Sequence, residues 1–183
     1  MNFNEHYGIK DKHAFLSPSQ YHWVNYDIEK LEGRYRNEQM KRRGTELHEF
    51  ASMAINLHRK LPKNSDTVNM FVNDAIGYSM NSEQPLYYSD NCFGTADAIS
   101  FNRNFLRIHD LKTGQTPASW MQLIVYAALF CLEYNKDPFK IKIELRIYQY
   151  NDFNAYVPAP EEVQDVMITI VDFDKRIEEI ESM

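Results

Sequence analysis

Cysteine is scarce: only Cys92 and Cys131 occur in 183 residues. A pair without Cys-x-x-Cys spacing builds no disulfide framework, no zinc knuckle and no iron–sulfur cluster. Long apolar runs are missing as well. None approaches the ~18 residues of a membrane-spanning helix. The opening Met1-Asn2-Phe3-Asn4-Glu5-His6 lacks the basic start and apolar stretch of a secretory leader. A cytoplasmic protein with no membrane partner is the expectation. Repeats, low-complexity tracts and linker-like stretches are absent too, which suggests one domain over 1–183. With 44% hydrophobic and 14% aromatic residues, that domain has the material for a packed core.

A cationic excess is also lacking, since the formal net charge is −6. Its distribution matters more than its sign. Residues 161–183 carry eight acids against two bases, which accounts for the whole imbalance. Elsewhere Arg34, Arg36, Lys41, Arg42 and Arg43, against Glu38 alone, make a local excess of four positive charges. Local charge governs phosphate affinity, so nucleic acid stays within reach as a partner. A solvated helix face accounts for the same run equally well.

Helical signals dominate the first half. Ser17-Pro18-Ser19-Gln20 reads as a capping box with proline at the first helical position, opening a short helix with Tyr21, Trp23 and Tyr26. Gly33 ends or interrupts it. A longer helix is expected from about Arg36 to Lys60, with Met40, Leu47, Phe50, Ala51, Ala54 and Leu57 on its apolar face and Pro62 as its stop. Ser65 and Asp66 begin another, ending near Gly77.

Beyond Pro85 the pattern changes to strand. Leu86-Tyr87-Tyr88, Phe93 to Phe101 and Phe105 to Leu111 are three strands joined by turns at Ser89-Asp90-Asn91 and Asn102-Arg103-Asn104. Ser119 to Glu133 is a buried helix. Lys140 to Gln149 alternates, with Ile141, Ile143, Leu145 and Ile147 on one face. Pro158-Ala159-Pro160 opens a final acidic helix. The expected fold is α/β: three antiparallel strands, a helix and a further strand in a small mixed central sheet flanked by helices. It divides into a helical part (about 16–80), a strand-rich core (about 84–150) and the terminal helix (about 159–182).

Chemistry concentrates in that strand-rich core. Asp97 and Asp110 stand thirteen residues apart across a hairpin. Asp110 and Lys112, two apart, emerge on one strand face. Two carboxylates and a substrate phosphate suffice for Mg²⁺, which prefers oxygen ligands and keeps several waters; Mn²⁺ can take the same place. Such an ion activates water and neutralises a phosphate. Lys112 would then orient the water or hold a phosphate oxygen. The Leu111 side chain points to the core, while its carbonyl can face the ion. Gly44 costs its helix ~1 kcal/mol relative to alanine, which suggests that something approaches closely one turn before His48. A lone helical histidine does not by itself identify a ligand. Gln122 and Tyr126 share one helix face. Trp120 can stack on an unpaired base or pack in the core.

Together these segments resemble the RecB-like branch of the PD-(D/E)XK nuclease superfamily, which includes small phage exonucleases and CRISPR-associated RecB-like nucleases. The resemblance runs from about Ser17 to Gln149. Gly44 and His48 resemble the family's glycine–histidine helix motif, Gly94-Thr95-Ala96-Asp97 its first acidic motif, Asp110-Leu111-Lys112-Thr113-Gly114 its second, and Gln122 to Tyr126 its Gln-x-x-x-Tyr motif. The resemblance implies an Mg²⁺- or Mn²⁺-dependent deoxyribonuclease, end-directed before internal, in recombination, repair or phage DNA processing. His48, Asp97, Asp110 and the Leu111 carbonyl are then metal ligands. Asp97, Asp110, Lys112, Gln122 and Tyr126 are catalytic. Lys41, Arg42, Arg43, Thr113 and Trp120 are DNA contacts. Relatives with an iron–sulfur cluster use four cysteines, which this chain lacks, and many sit behind a helicase domain that is absent here; what delivers the DNA is left open, a recombination or helicase partner being one candidate.

Two other readings fit some of the same residues. One is a non-catalytic DNA- or protein-binding module on the nuclease fold. The other is an HD-type phosphohydrolase built on His48, His109-Asp110 and Asp137. Strand alternation weighs against the latter by sending His109 and Asp110 to opposite faces.

Overall fold

The computed structural model describes Gly8 and residues 13–182. Its backbone contacts divide the chain into two compact units, Met1–Arg43 and Gly44–Met183. In the first, a 3-10 helix spans Pro18–Asn25. The expected capping box does not form there. Ser17 makes no cap hydrogen bond, its hydroxyl meets that of Ser19 at 2.8 Å, and Gln20 leaves helical geometry.

The helix α1 occupies Ile28–Asn56, so neither Gly33 nor Gly44 interrupts it. A glycine's cost of ~1 kcal/mol is small against the many hydrogen bonds of a long helix. The helix ends six residues before Pro62, where His58 takes a positive φ of 51°. Its expected apolar face is right in part: Ala51 and Ala54 are buried and Leu47 is half-buried. Met40, Phe50 and Leu57 are exposed, whereas Gly44, Ala51, Ala54 and Ile55 are buried. Small side chains mark the buried face because they permit close approach.

In the second unit, α2 (Thr67–Gly77) starts at Asp66, whose carboxylate caps the amides of Val68 and Asn69. Then come β1 (Asn81–Ser89), β2 (Cys92–Asn102), β3 (Phe105–Leu111), α3 (Met121–Glu133), β4 (Lys142–Gln149), β5 (Asp152–Tyr156) and α4 (Pro160–Glu181). One mixed sheet results, in the order β1-β2-β3-β4-β5, with β3 and β4 parallel and the other pairs antiparallel. β1 begins well before Pro85. An edge strand tolerates a proline because one side of its ladder is unused. β5 was not anticipated at all. Its Asp152-Phe153-Asn154-Ala155-Tyr156 stretch is mostly exposed and carries little apolar alternation. The tight turn before it, with Tyr150 and Asn151 both at positive φ, brings it back onto β4.

Two cores flank the sheet. Leu106, Ile108, Leu123, Leu129, Leu145 and Val163 join it to α3 and α4. Ala51, Ile55, Phe71, Val72, Leu111 and Tyr148 form the other core with α1 and α2. The end of β3 thus sits between two packed layers, and the Lys112 amide beyond it still donates to the Tyr148 carbonyl of β4 at 2.9 Å. No helix among the described residues is long and apolar enough to cross a membrane.

His109 lies inside the α2-side core, fully buried, with its ring against Tyr78 and Tyr148. Its Nδ1 is 3.3 Å from the Tyr148 hydroxyl, which donates to Asp74 at 2.7 Å. Its Nε2 has no hydrogen-bond partner among the described residues. Burial, with Arg146 and Arg107 nearby, depresses its pKa from 6.5 to about 3. The folded imidazole therefore stays neutral where the unfolded one takes up a proton. Stability is full above pH 6.5 and is lost as pH falls toward 3, by at most about 5 kcal/mol at ~1.4 kcal/mol per unit. His109→Phe should remove this part of the acid loss. Urea unfolding at pH 7, 5 and 4 checks it: parallel declines in parent and variant would mean that His109 is not the group responsible.

Candidate metal centre

Three polar side chains from three elements converge at the C-terminal end of β3. His48 comes from the second-unit part of α1, Glu83 from β1 and Asp97 from β2. One ligand atom of each lies within 4.8 Å of the others. The pairs Ser82–Ala98 and Gln84–Ala96 bracket Glu83 and set it opposite Asp97 on the neighbouring strand. Like charges directly opposed destabilise a sheet. Glu83 also holds a positive φ of 49°, unusual for a side chain inside a strand.

Asp97 is the hub. Its Oδ1 lies 3.5 Å from His48 Nδ1, and its Oδ2 accepts the Leu111 amide at 2.8 Å. That bond joins Asp97 to the strand end carrying Asp110. The β2–β3 register ends where Ala98 faces His109, and Asp97 and Asp110 are the next residue on each strand. Asp110 is 3% exposed, and its Oδ2 receives no aligned hydrogen bond, although Lys112 Nζ is 3.1 Å away as an ion-pair partner. Lys112 Nζ also donates to Gln122 Oε1 at 2.8 Å. Asp110 and Lys112 thus share a strand face as expected, and His109 points to the other core. The Leu111 side chain is buried, and its amide is spent on Asp97.

Electrostatics follow from this crowding. The hydrogen bond to Asp97 raises the His48 pKa, with Asp97, Glu83 and Asp110 adding to it and burial opposing. Burial, then the charge of Asp97, raises Glu83. Burial and Asp97 also raise Asp110, against the pull of Lys112. Glu83, Asp110 and His48 therefore hold protons more tightly than usual, the behaviour of a site short of positive charge. A divalent ion fits this donor set of carboxylate oxygens and one imidazole. The buried, unaligned Asp110 Oδ2 is an acceptor that such an ion could satisfy. An open groove of about 670 Å³ leads away from His48 and Glu83, past Ser52, Met53 and Asn56.

Two glycines owe their identity to close approaches here. A Cβ on Gly44 would stand 2.8 Å from Thr113 Oγ1, and one on Gly94 would stand 3.0 Å from the Tyr126 ring. Gly44 thus lets the Asp110–Gly114 segment rest on α1, and Gly94 makes room for Tyr126. Of the other expected residues, Gln122 joins the group through Lys112, whereas half-buried Tyr126 packs against β2. Trp120 is half-buried with its ring 5.3 Å from Tyr156, a packing contact rather than an open stacking surface. Thr113 is exposed. Lys41, Arg42 and Arg43 belong to the first unit, where Arg42 pairs with Glu38 at 3.4 Å and all three are exposed.

Glu83 was missing from the expected set. Its sequence neighbourhood, Asn81-Ser82-Glu83-Gln84-Pro85, has no apolar alternation. Only its pairing with β2 reveals it. No family model, no curated protein and no solved structure matches this chain.

Proposed function

We propose that this protein is a metal-dependent nuclease of the PD-(D/E)XK type, most similar to its RecB-like branch, acting on DNA. The observation that carries the reading is the convergence of His48, Glu83 and Asp97 beside the buried Asp110 carboxylate and the Lys112–Gln122 pair. The β2–β3 hairpin, α3 crossover and parallel β4 support the corresponding core. His48, Asp97, Asp110 and Glu83 would hold one or two Mg²⁺ or Mn²⁺ ions, which supply water activation and charge neutralisation when bound.

The chain's own residues do the rest. Asp97 ties the β2 carboxylate to the end of β3 through the Leu111 amide, so the two acids cannot drift apart. Lys112 keeps one cation beside Asp110, within reach of a phosphate oxygen or the attacking water. Gln122 orients that ammonium group. Tyr126, seated on Gly94, fixes α3 and hence Gln122 against β2. A helicase or recombination partner would be the source of the DNA ends.

The test uses end-labelled linear single- and double-stranded DNA and closed circular DNA, with Mg²⁺, Mn²⁺ or EDTA. Linear DNA should be degraded with either metal and left intact in EDTA, while closed circles persist. Degradation undiminished in EDTA would overturn the metal centre. Metal-supported binding without any cleavage would assign a binding module instead.

A further inference from the structure

A second polar cavity lies at the other end of β3. It measures about 370 Å³ and is lined by Asn102, Arg103, Asn104, Phe105, Arg107, Lys140 and Lys142. Four of these seven carry positive charge and none carries negative charge. We propose that this cavity binds the phosphate group of a phosphate ester, either a backbone phosphodiester of a nucleic-acid strand or the phosphate of a nucleotide.

The hairpin register builds the cluster. Arg103 and Asn104 form the two-residue turn between β2 and β3, both at positive φ. Lys142 opens β4 directly beside Phe105, so a basic strand start meets a basic turn. Two carboxylates lie close by. Asp137 is 3.1 Å from Lys140 Nζ, and Glu144 is 3.6 Å from Arg107 Nε while also pairing with Arg146. The Arg103 and Lys142 side chains have no ion-pair or hydrogen-bond partner among the described residues; the Lys142 amide donates to the Asn104 carbonyl at 2.8 Å, while the side-chain amides of Asn102 and Asn104 make no hydrogen bond there. The cavity therefore gathers more cations than its surroundings neutralise, together with unused neutral donors.

Arg107 is pre-oriented for such a ligand. Its guanidinium packs 3.7 Å from the Phe105 ring centroid and 4.6 Å from that of Tyr78. Its Nε is buried without a hydrogen bond. Aromatic packing holds the guanidinium plane still, so less freedom is lost when it meets a phosphate. The donor set suits a phosphate, whose oxygens accept from several N–H groups at once.

Its placement separates this site from the metal centre. Phe105 and Asp110 are five residues apart, about 16 Å along a strand. Arg107 also lies on the α2 side with His109, opposite Asp110. A phosphate held here is not the one beside Asp110. The site should contribute affinity without changing turnover, and it does not depend on the hydrolytic reading.

Binding is measured with the full chain in EDTA, where no hydrolysis interferes. The probes are a fluorescein-labelled 20-mer as single strand and as duplex, then inorganic phosphate and a 5′-mononucleotide by calorimetry. Arg103→Asp with Lys142→Glu reverses the two unpartnered charges, and aspartate tolerates the left-handed turn position. Arg59→Glu with Lys60→Glu applies the same charge change at exposed positions outside the cavity. The first double variant should weaken duplex binding about tenfold or more and flatten its salt dependence by roughly two units. The control should change affinity only about two- to threefold through net charge. Loss confined to the oligonucleotides assigns the strand backbone. Parallel loss of phosphate and mononucleotide binding assigns a single phosphate group. Equal effects of the two double variants, or no effect of the first, would overturn the proposal. Arg103→Asn with Lys142→Gln, which adds no new charge, gives the same reading if the reversed pair unfolds.

Discussion

Asp110→Asn is expected to lower DNA cleavage by a factor on the order of 10³ while raising the melting temperature of the metal-free protein. The two effects have one cause. Asp110 is buried beside Asp97, and both burial and that neighbour raise its pKa, so ionising it costs the folded state. A group raised in this way lends stability while protonated and withdraws it as pH rises through the folded value. At neutral pH the carboxylate opposes folding unless a cation offsets it. Asparagine keeps the shape without the charge, which relieves the metal-free protein and removes a proposed metal ligand. A residue retained for structure would do the reverse: its replacement would lower the melting temperature and leave cleavage intact. Thermal unfolding with and without Mn²⁺, beside a single-turnover assay, separates the cases. The parent should also gain more stability from Mn²⁺ than the variant, since an ion that binds only the folded state stabilises by mass action.

Lys112→Met should cut turnover about 100-fold with little change in metal affinity at pH 8. Lys112 Nζ sits 3.1 Å from Asp110 and bonds Gln122, so its charge is held beside the Asp110 carboxylate rather than spent on a surface contact. Methionine preserves much of the stem and removes the ammonium. Because Lys112 lowers the Asp110 pKa against burial and Asp97, its loss should also move the acidic limb of the activity profile upward. Calorimetry with Mn²⁺ and a pH–rate profile read these effects independently. Lost metal binding with unchanged turnover at saturating metal would place Lys112 in the ligand set instead.

Much of this architecture is legible in the sequence. The change from three- and four-residue steps to alternation near Pro85 located the helical and strand-rich parts. Asn102-Arg103-Asn104 marked the hairpin, and α2, β2, β3, α3 and β4 lie within a few residues of their expected limits. Asp97, Asp110 and Lys112 were legible for a local reason. A two-residue spacing on a strand puts side chains on one face, and a hairpin turn of known position sets its partners opposite. Gly44 is visible in the sequence as a mid-helix anomaly and Gly94 only as part of a motif; what either accommodates is not.

What the sequence alone determined was therefore local: element type, the hairpin, the acid–lysine spacing and the concentration of negative charge in the last helix. Tertiary structure decided the rest, because it depends on partners distant in the chain. The buried side of α1 follows from close packing of Gly44, Ala51 and Ala54, not from its largest apolar residues. β5 exists because β4 offers it a ladder, not because its own side chains demand a strand. Glu83 joins His48 and Asp97 only through the β1–β2 register, and Arg103 meets Lys142 only because a crossover through α3 lays β4 parallel to β3. Periodicity reports which way a side chain points along its own element. Which distant residue it meets is settled by strand pairing and by how closely helices can approach.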